Sequence, residues 1–273
     1  MRTALSPALL CLAALGLLLA QKPFKEYPAI EYEGFSLPAD YNQKTEWTRA
    51  RLLYPDITGF PQAAPRFRDG RYFPGYWSMD YPRSDRHLLA GVRRLTRIDV
   101  RSVEQVVELD GTDEIYNWPV SYAVEAGHWQ LQEQHARQLR EYLLRGGFLM
   151  FDDFHGTQEW ELFIAGMSKV FPDRPIVDIA NNDPIFHTLY DLDERFQVPG
   201  ALYFETGRTY EKDGYEAKWR GIYDDKGRLM VAICHNMDLG DAWEHSDEPR
   251  YKEKWASLAY RVAMNYIIYD LTH

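Results

Sequence analysis

Alternating strand-like and helix-like hydrophobic patterns run through the middle of the chain. Short apolar runs rich in β-branched and aromatic residues predict strands over 46–54, 104–109, 119–124 and 148–151. Apolar residues three to four positions apart predict helices from an N-cap at Ser84, over 131–145 and over 158–170. Strands that alternate with helices in this way are typical of an α/β domain with a mostly parallel sheet.

The rest of the chain has different hydrophobic patterns. Two strand-like runs, 215–223 and 229–234, flank Asp224–Gly227 and predict a hairpin. Apolar positions over 251–269 predict a long final helix. Residues 21–45 are rich in Tyr, Pro and Glu without a clear period, so we expect an extended arm, followed by a single α/β domain over 46–273.

The N-terminal residues have the pattern of an export signal. Arg2 supplies a positive charge, and an apolar run from Ala8 to Ala20 follows that is too short to span a bilayer comfortably. We therefore expect 1–20 to be a signal peptide and the mature protein to be secreted or periplasmic. The alternative is an uncleaved N-terminal anchor.

The composition of the chain argues for some kinds of binding partner and against others. The formal net charge of −10 argues against general nucleic-acid binding, and no later stretch is apolar enough to be a transmembrane segment. Aromatic residues make up 15% of the chain. They either fill the core or line a groove that stacks on sugars or peptides, so an envelope protein or a glycan is the partner we expect.

Cysteine usage and missing motifs exclude several chemistries. Cys11 lies in the expected signal peptide and leaves Cys234 alone, so no internal disulfide or cysteine zinc finger can form. The sequence also lacks a GxGxxG dinucleotide motif, a P-loop, an HExxH zinc motif and a GxSxG nucleophile turn. No Gly-x-Cys-x-Gly turn surrounds Cys234, which we interpret as a small buried residue.

The first candidate site follows the strand at 148–151. Asp152, Asp153 and His155 come directly before Gly156, at the end of a strand where ligands bind in open α/β sheets. A carboxylate beside an imidazole can act in general acid–base catalysis or ligate a metal. The alternative is that the two Asp residues cap the next helix while His155 only packs.

A second polar group follows the strand at 229–234. It contains His235, Asn236 and Asp238, with Trp243 and Glu244 a few residues further on. These residues either face the same cleft or form an Asx-rich turn. The predicted ligand-binding residues are thus Asp152, Asp153, His155, Gly156, His235, Asn236, Asp238 and Trp243.

Several segments together resemble the bacterial domain-of-unknown-function family 4159. They are RLLYP (51–55), MDYPRSD (79–85), LTRIDV (95–100), YLLRGGFLMFDDFHG (142–156), DPIFH (183–187) and HNMDLGDAWE (235–244). The resemblance implies a flavodoxin-like, class I glutamine-amidotransferase-like three-layer sandwich with a mostly parallel central sheet, and no settled activity. True amidotransferases carry a Cys nucleophile on the turn after a central strand, where this sequence has Asp152, Asp153 and His155.

Three functional hypotheses remain open. The first is a non-catalytic ligand- or partner-binding module with a degenerate amidotransferase-like cleft, which the missing nucleophile favours. The second is a metal-dependent hydrolase acting on a carbohydrate or cell-envelope polymer. Its divalent metal would be held by Asp152 or Asp153 together with His155 and His235, with Glu244 as general base. The third is a metal-free glycosidase that uses two carboxylates, Asp153 and Glu244. The candidate catalytic residues are accordingly Asp153, His155 and Glu244.

Overall fold

The computed structural model describes residues 22–27, 36–57, 66–68 and 71–273. The expected signal peptide therefore lies outside the described residues, as do parts of the expected arm and of the loop that follows the first strand. The described start of the arm packs against the domain, since Lys22 contacts Asp110 and Tyr27 contacts Glu108.

A seven-stranded mixed sheet forms the centre of the molecule. Its strands lie in the order β4-β1-β5-β6-β9-β8-β7, and the first five of that order are parallel. The last two strands are antiparallel, and β2 and β3 form a separate hairpin. The strands are β1 (Ala50–Leu53), β2 (Arg66–Arg68), β3 (Arg71–Phe73), β4 (Gln105–Glu108), β5 (Val120–Val124), β6 (Phe148–Asp152), β7 (Val177–Asp178), β8 (Lys218–Tyr223) and β9 (Leu229–His235).

Helices cover both faces of this sheet. Successive residues of β6 alternate between two hydrophobic cores, with Phe148 in one and Leu149 in the other. The first core includes Leu258 of the last helix, and the second includes Phe163 of the helix after β6. The helices are α1 (Arg83–Leu95), α2 (Glu133–Leu144), α3 (Gly156–Val170), α4 (Leu202–Thr206), α5 (Leu239–Glu244) and α6 (Glu253–Thr272).

The predicted α/β class and mostly parallel sheet are confirmed, and two local predictions were wrong. The first helix begins at Arg83 after Pro82, because the Ser84 amide already donates to the carbonyl of Asp80 and Ser84 lies inside the helix. The first strand is shorter than predicted, and Trp47 makes only an isolated bridge to Val100. Within the described part of the chain, no helix is long and apolar enough to cross a membrane.

Candidate functional site

Three neighbouring strands end in polar residues with an unusual backbone. Glu125 follows β5, Asp153 follows β6 and Asn236 follows β9, with φ of 54°, 52° and 65°. The left-handed region costs a residue with a Cβ roughly 1–2 kcal/mol, although Asn and Asp tolerate it best. Because the parallel strands share one carboxyl edge, these three strained residues lie along it. Strain of this kind clusters at functional sites.

A buried carboxylate–imidazole pair lies at the centre of this edge. Asp153 Oδ1 is 3.1 Å from His155 Nε2, and the two residues are 6% and 3% exposed. Burial raises the pKa of Asp153 well above its usual value, and the charges of Glu125 and Asp241 add to the shift. Burial lowers the pKa of His155. The pair is therefore held towards its uncharged forms.

A second network, which the sequence analysis did not find, runs alongside. Glu125 Oε2 contacts His128 Nδ1 at 2.9 Å, and His128 Nε2 lies 3.3 Å from Glu159 Oε1, which also pairs with Lys212. Burial opposes protonation of His128, but the hydrogen bond to Glu125 and the nearby carboxylates outweigh it and raise the pKa of His128. The half-buried ring of Tyr76 stacks on this imidazole, with ring centroids 3.8 Å apart.

Asp152 is oriented by the helix that follows β9. Its Oδ2 accepts from the amides of Leu239 and Gly240, at 2.7 and 2.9 Å, and from the Tyr122 hydroxyl. Desolvation raises the pKa of Asp152 to about 7. Asp152 thus caps α5, whereas the alternative interpretation of the sequence had it cap the helix that follows it directly in the chain.

His235 and Asn236 both support the turn that precedes α3. The His235 ring stacks on Phe154 and Trp160, with centroids 4.9 and 4.8 Å away. Burial lowers the pKa of His235 to about 4, so the ring is neutral at pH 7. Asn236 Oδ1 accepts from the Gly156 amide at 2.8 Å and its Nδ2 donates to a backbone carbonyl.

The structure does not bring together the metal ligands expected from the sequence. Among the described residues, three groups of His, Asp and Glu have ligand atoms within 4.8 Å of one another, and the trio of Asp152, His155 and His235 is not one of them. The nearest polar partners of His155 and His235 are Asp153 and the carbonyl of Gly156.

Trp243 and Glu244 lie on α5 and are also buried. Trp243 is fully buried against the Tyr122 ring and the Arg49 guanidinium, so its ring is part of the core and presents no open face to a ligand. Glu244 is 3% exposed and lies 3.9 Å from Arg83. It belongs to a group with Asp241 and His245.

A buried acidic cluster, consisting of Asp80, Asp238 and Asp241, lies beside the Asp153–His155 pair. Their carboxylate oxygens lie within 4.8 Å of one another. Desolvation, together with neighbouring carboxylates, raises the pKa of Asp80 and of Asp238 well above the usual value. Asp238 was predicted as a ligand-binding residue, and it also caps α5 through the Asp241 amide at 2.7 Å. Asp80 and Asp241 were missed, because their sequence context resembles ordinary turn and helix-start signals.

The loop between α4 and β8 covers part of this edge. Asp213 accepts from the amide and hydroxyl of Thr157 at the start of α3, at 2.9 and 2.6 Å. Next to these anchoring residues, Tyr210 and Tyr215 pack together with ring centroids 4.8 Å apart. Tyr215 is 65% exposed. The loop therefore presents an open aromatic surface beside the strand ends.

Two cavities lie off this site. One of about 470 Å³ is lined by Asp56, Gln130 and Lys169 beside the ends of β1 and β5. Another, of about 1080 Å³, lies between α1 and α6. Neither is lined by Asp153 or His155. The candidate site is therefore identified by its polar side chains and not by a cavity.

The Cys234 thiol is part of the hydrophobic core. Cys234 is fully buried, and desolvation raises its pKa well above the usual value. A thiol of this kind does not ionise readily and is not a nucleophile.

No curated protein sequence matches the chain at a significant level. The profile of the family described as Domain of unknown function (DUF4159) matches residues 67–271, and the chain belongs to this family.

Proposed function

We propose that this chain is an exported protein of flavodoxin-like, amidotransferase-like architecture that binds an envelope glycan without chemical turnover. In chain order the five parallel strands have the arrangement 2-1-3-4-5 when the β2–β3 hairpin is left out, which is the order of flavodoxin-like sheets. Such sheets bind ligands beyond the carboxyl ends of their strands. The apolar run from Ala8 to Ala20 supports export.

The Tyr210–Tyr215 pair beside the acidic strand ends carries the proposal, since Tyr215 is exposed and Tyr210 is half-buried. Tyrosine rings provide large apolar faces with a polar tip, suited to the mixed surface of a sugar ring. Carboxylates such as Glu125 accept hydrogen bonds from hydroxyl groups, of which glycans have many. A polyhydroxylated ligand fits this combination better than an anionic ligand does.

The chemistry of the edge favours binding over catalysis. The only thiol outside the expected signal peptide is buried. Asp153 and His155 are hydrogen-bonded to each other, and both tend towards their uncharged forms. An uncharged Asp153 carboxyl is not a nucleophile, and the His155 Nε2 that would act as a base is already engaged by Asp153.

A second candidate function is favoured by the network of Glu125, His128 and Glu159. An imidazole whose pKa is raised by two carboxylates can act as a general acid near neutral pH. Hydrolysis of an envelope polymer, with or without a metal, would use such a group. Product formation separates this candidate from simple binding.

The test is a binding measurement on soluble peptidoglycan fragments and a panel of neutral oligosaccharides. We expect Tyr215→Ala to weaken binding about tenfold or more, because a stacking ring is a typical hot spot. Tyr41→Ala serves as the matched control, since Tyr41 is 37% exposed and lies in the segment that precedes β1. Equal affinity of the wild type and Tyr215→Ala for these glycans would contradict the proposal. Release of shorter glycans during the assay would show hydrolysis. The hydrolase candidate would then replace the binding proposal.

A further inference from the structure

The acidic cluster of Asp80, Asp238 and Asp241 is electrostatically incomplete. The three residues are 5%, 3% and 9% exposed, so their charges are largely removed from water. Buried carboxylates at such short range repel one another unless a proton or a cation compensates them. Within the described residues, the cation that contacts this cluster is His245, whose Nε2 lies 3.5 Å from Asp241 Oδ1.

Asp80 provides a second, independent indication of a ligand. Its Oδ2 is buried and has no hydrogen-bond partner. The atom lies near the other carboxylates, since a Cβ placed on Gly240 would be 2.4 Å from it and 3.4 Å from Asp238 Oδ1. A buried acceptor without a partner costs roughly 1–3 kcal/mol, and more when it is charged. An ion at this point would satisfy it.

Gly200 packs closely against another side of the cluster. A Cβ on Gly200 would lie 2.5 Å from Asp238 Oδ2, 2.9 Å from Asp241 Oδ2 and 3.2 Å from Glu211 Oε1. These distances are too short for a Cβ, so a glycine is required for this segment to approach the carboxylates of Asp238, Asp241 and Glu211 so closely. Glu211 thereby adds a further carboxylate beside the cluster.

We propose that Asp80, Asp238 and Asp241 bind one hard divalent cation, Ca²⁺ or Mg²⁺, at the carboxyl edge. All three donors are carboxylates, and oxygen-only sets suit these ions, which complete their coordination with water. The ion joins the segment before α1 to α5. The site does not rest on glycan binding, which depends on the tyrosine pair.

The test is calorimetric titration of the EDTA-treated full chain with CaCl₂ and, separately, with MgCl₂. We expect one ion per chain and a rise in melting temperature on binding. Asp80→Asn keeps the side-chain shape but removes a charge, and it should weaken binding at least about tenfold, since even outer partners of a metal contribute that much. The cation-free variant should melt no lower than the wild type, because a neutral amide replaces a buried carboxyl that needs a proton or a cation to compensate it.

Asp270→Asn is the matched control, because the Asp270 side chain is also buried, at 3% exposure, but pairs with Arg228. Binding that is kept in Asp270→Asn and lost in Asp80→Asn supports the site. No binding of either ion at millimolar concentration, or equal binding by Asp80→Asn, would overturn it.

Discussion

Glu125, Asp153 and Asn236 show how single residues shape the candidate site. Each side chain leaves the sheet immediately after its strand, in a backbone conformation that turns the chain sharply. Asn236 is the clearest structural case, because its amide group joins the Gly156 amide to the Glu216 carbonyl. Backbone geometry and side-chain bonding therefore contribute separately at this position.

These two contributions can be separated by substitution of Asn236. Asn236→Ala loses both hydrogen bonds and keeps a Cβ at φ 65°, so we expect a loss of about 2–4 kcal/mol in the free energy of unfolding. Asn236→Gly loses the same bonds but adopts this φ freely, so it should be more stable than the alanine variant by about 1 kcal/mol. Urea unfolding of both variants measures the difference. An alanine variant at least as stable as the glycine variant would show that the backbone is not strained there.

The segments that carry the candidate residues could be predicted from the sequence. Most of the hydrogen-bond and ion-pair partners of these residues could not. The sequence places Asp152, Asp153 and His155 after a buried strand. The structure confirms this for Asp153 and His155, whereas Asp152 is the last residue of β6. The sequence does not indicate that Asp152 caps a helix starting at Leu239, because that contact joins segments far apart in the chain. For the same reason His128 was missed, since its partner Glu159 lies on another element.

At the scale of elements, apolar periodicity predicted the helices and central strands well. The structure confirms the predicted hairpin, with β8 and β9 paired around 224–227. Short elements escaped prediction, namely the edge strand β7 and the helix α4. A two-residue strand has no measurable period, and its place in the sheet depends on pairing with β8.

Helix α3 contains a glycine that its packing requires. Gly166 faces Trp129, and a Cβ there would lie 2.2 Å from the indole Nε1. Alanine is the better helix former by about 1 kcal/mol, but overpacking a filled core costs about 1–3 kcal/mol. We therefore expect Gly166→Ala to lower the melting temperature.

A matched substitution on the same helix separates packing from helix propensity. Ser168 is exposed two residues further along α3, so Ser168→Ala should be neutral or slightly stabilising. Thermal unfolding followed by circular dichroism compares the two variants. If Gly166→Ala were stabilised as much as Ser168→Ala, the close approach of Trp129 to α3 would be refuted.

At the scale of the whole molecule, acidic residues are distributed unevenly. The chain carries a net charge of −10, and many of its carboxylates are buried at the carboxyl edge. Others are buried elsewhere. Glu104 is fully buried, and desolvation raises its pKa to about 7. Desolvation also raises the pKa of Asp270 to about 7, from an ordinary value of 3.8, although Arg228 opposes this shift. Because the pKa of such groups differs between the folded and unfolded states, the stability of the fold depends on pH.

The sign of this linkage follows from proton binding. Below about pH 4 the carboxyl of Asp270 is protonated in both states, whereas between about pH 4 and 7 only the folded state keeps the proton. Stability therefore falls as pH rises through that window, by at most about 1.4 kcal/mol per pH unit for each such group. Asp270→Asn removes one of them, so relative to wild type it should gain about 1–4 kcal/mol between pH 4 and 7.5 in urea unfolding. Asp225→Asn is the control, because Arg174 holds the pKa of Asp225 below its usual value and no such gain is expected. A relative stability of Asp270→Asn that does not change with pH would mean that the Asp270 carboxyl is ionised in the folded protein at pH 5.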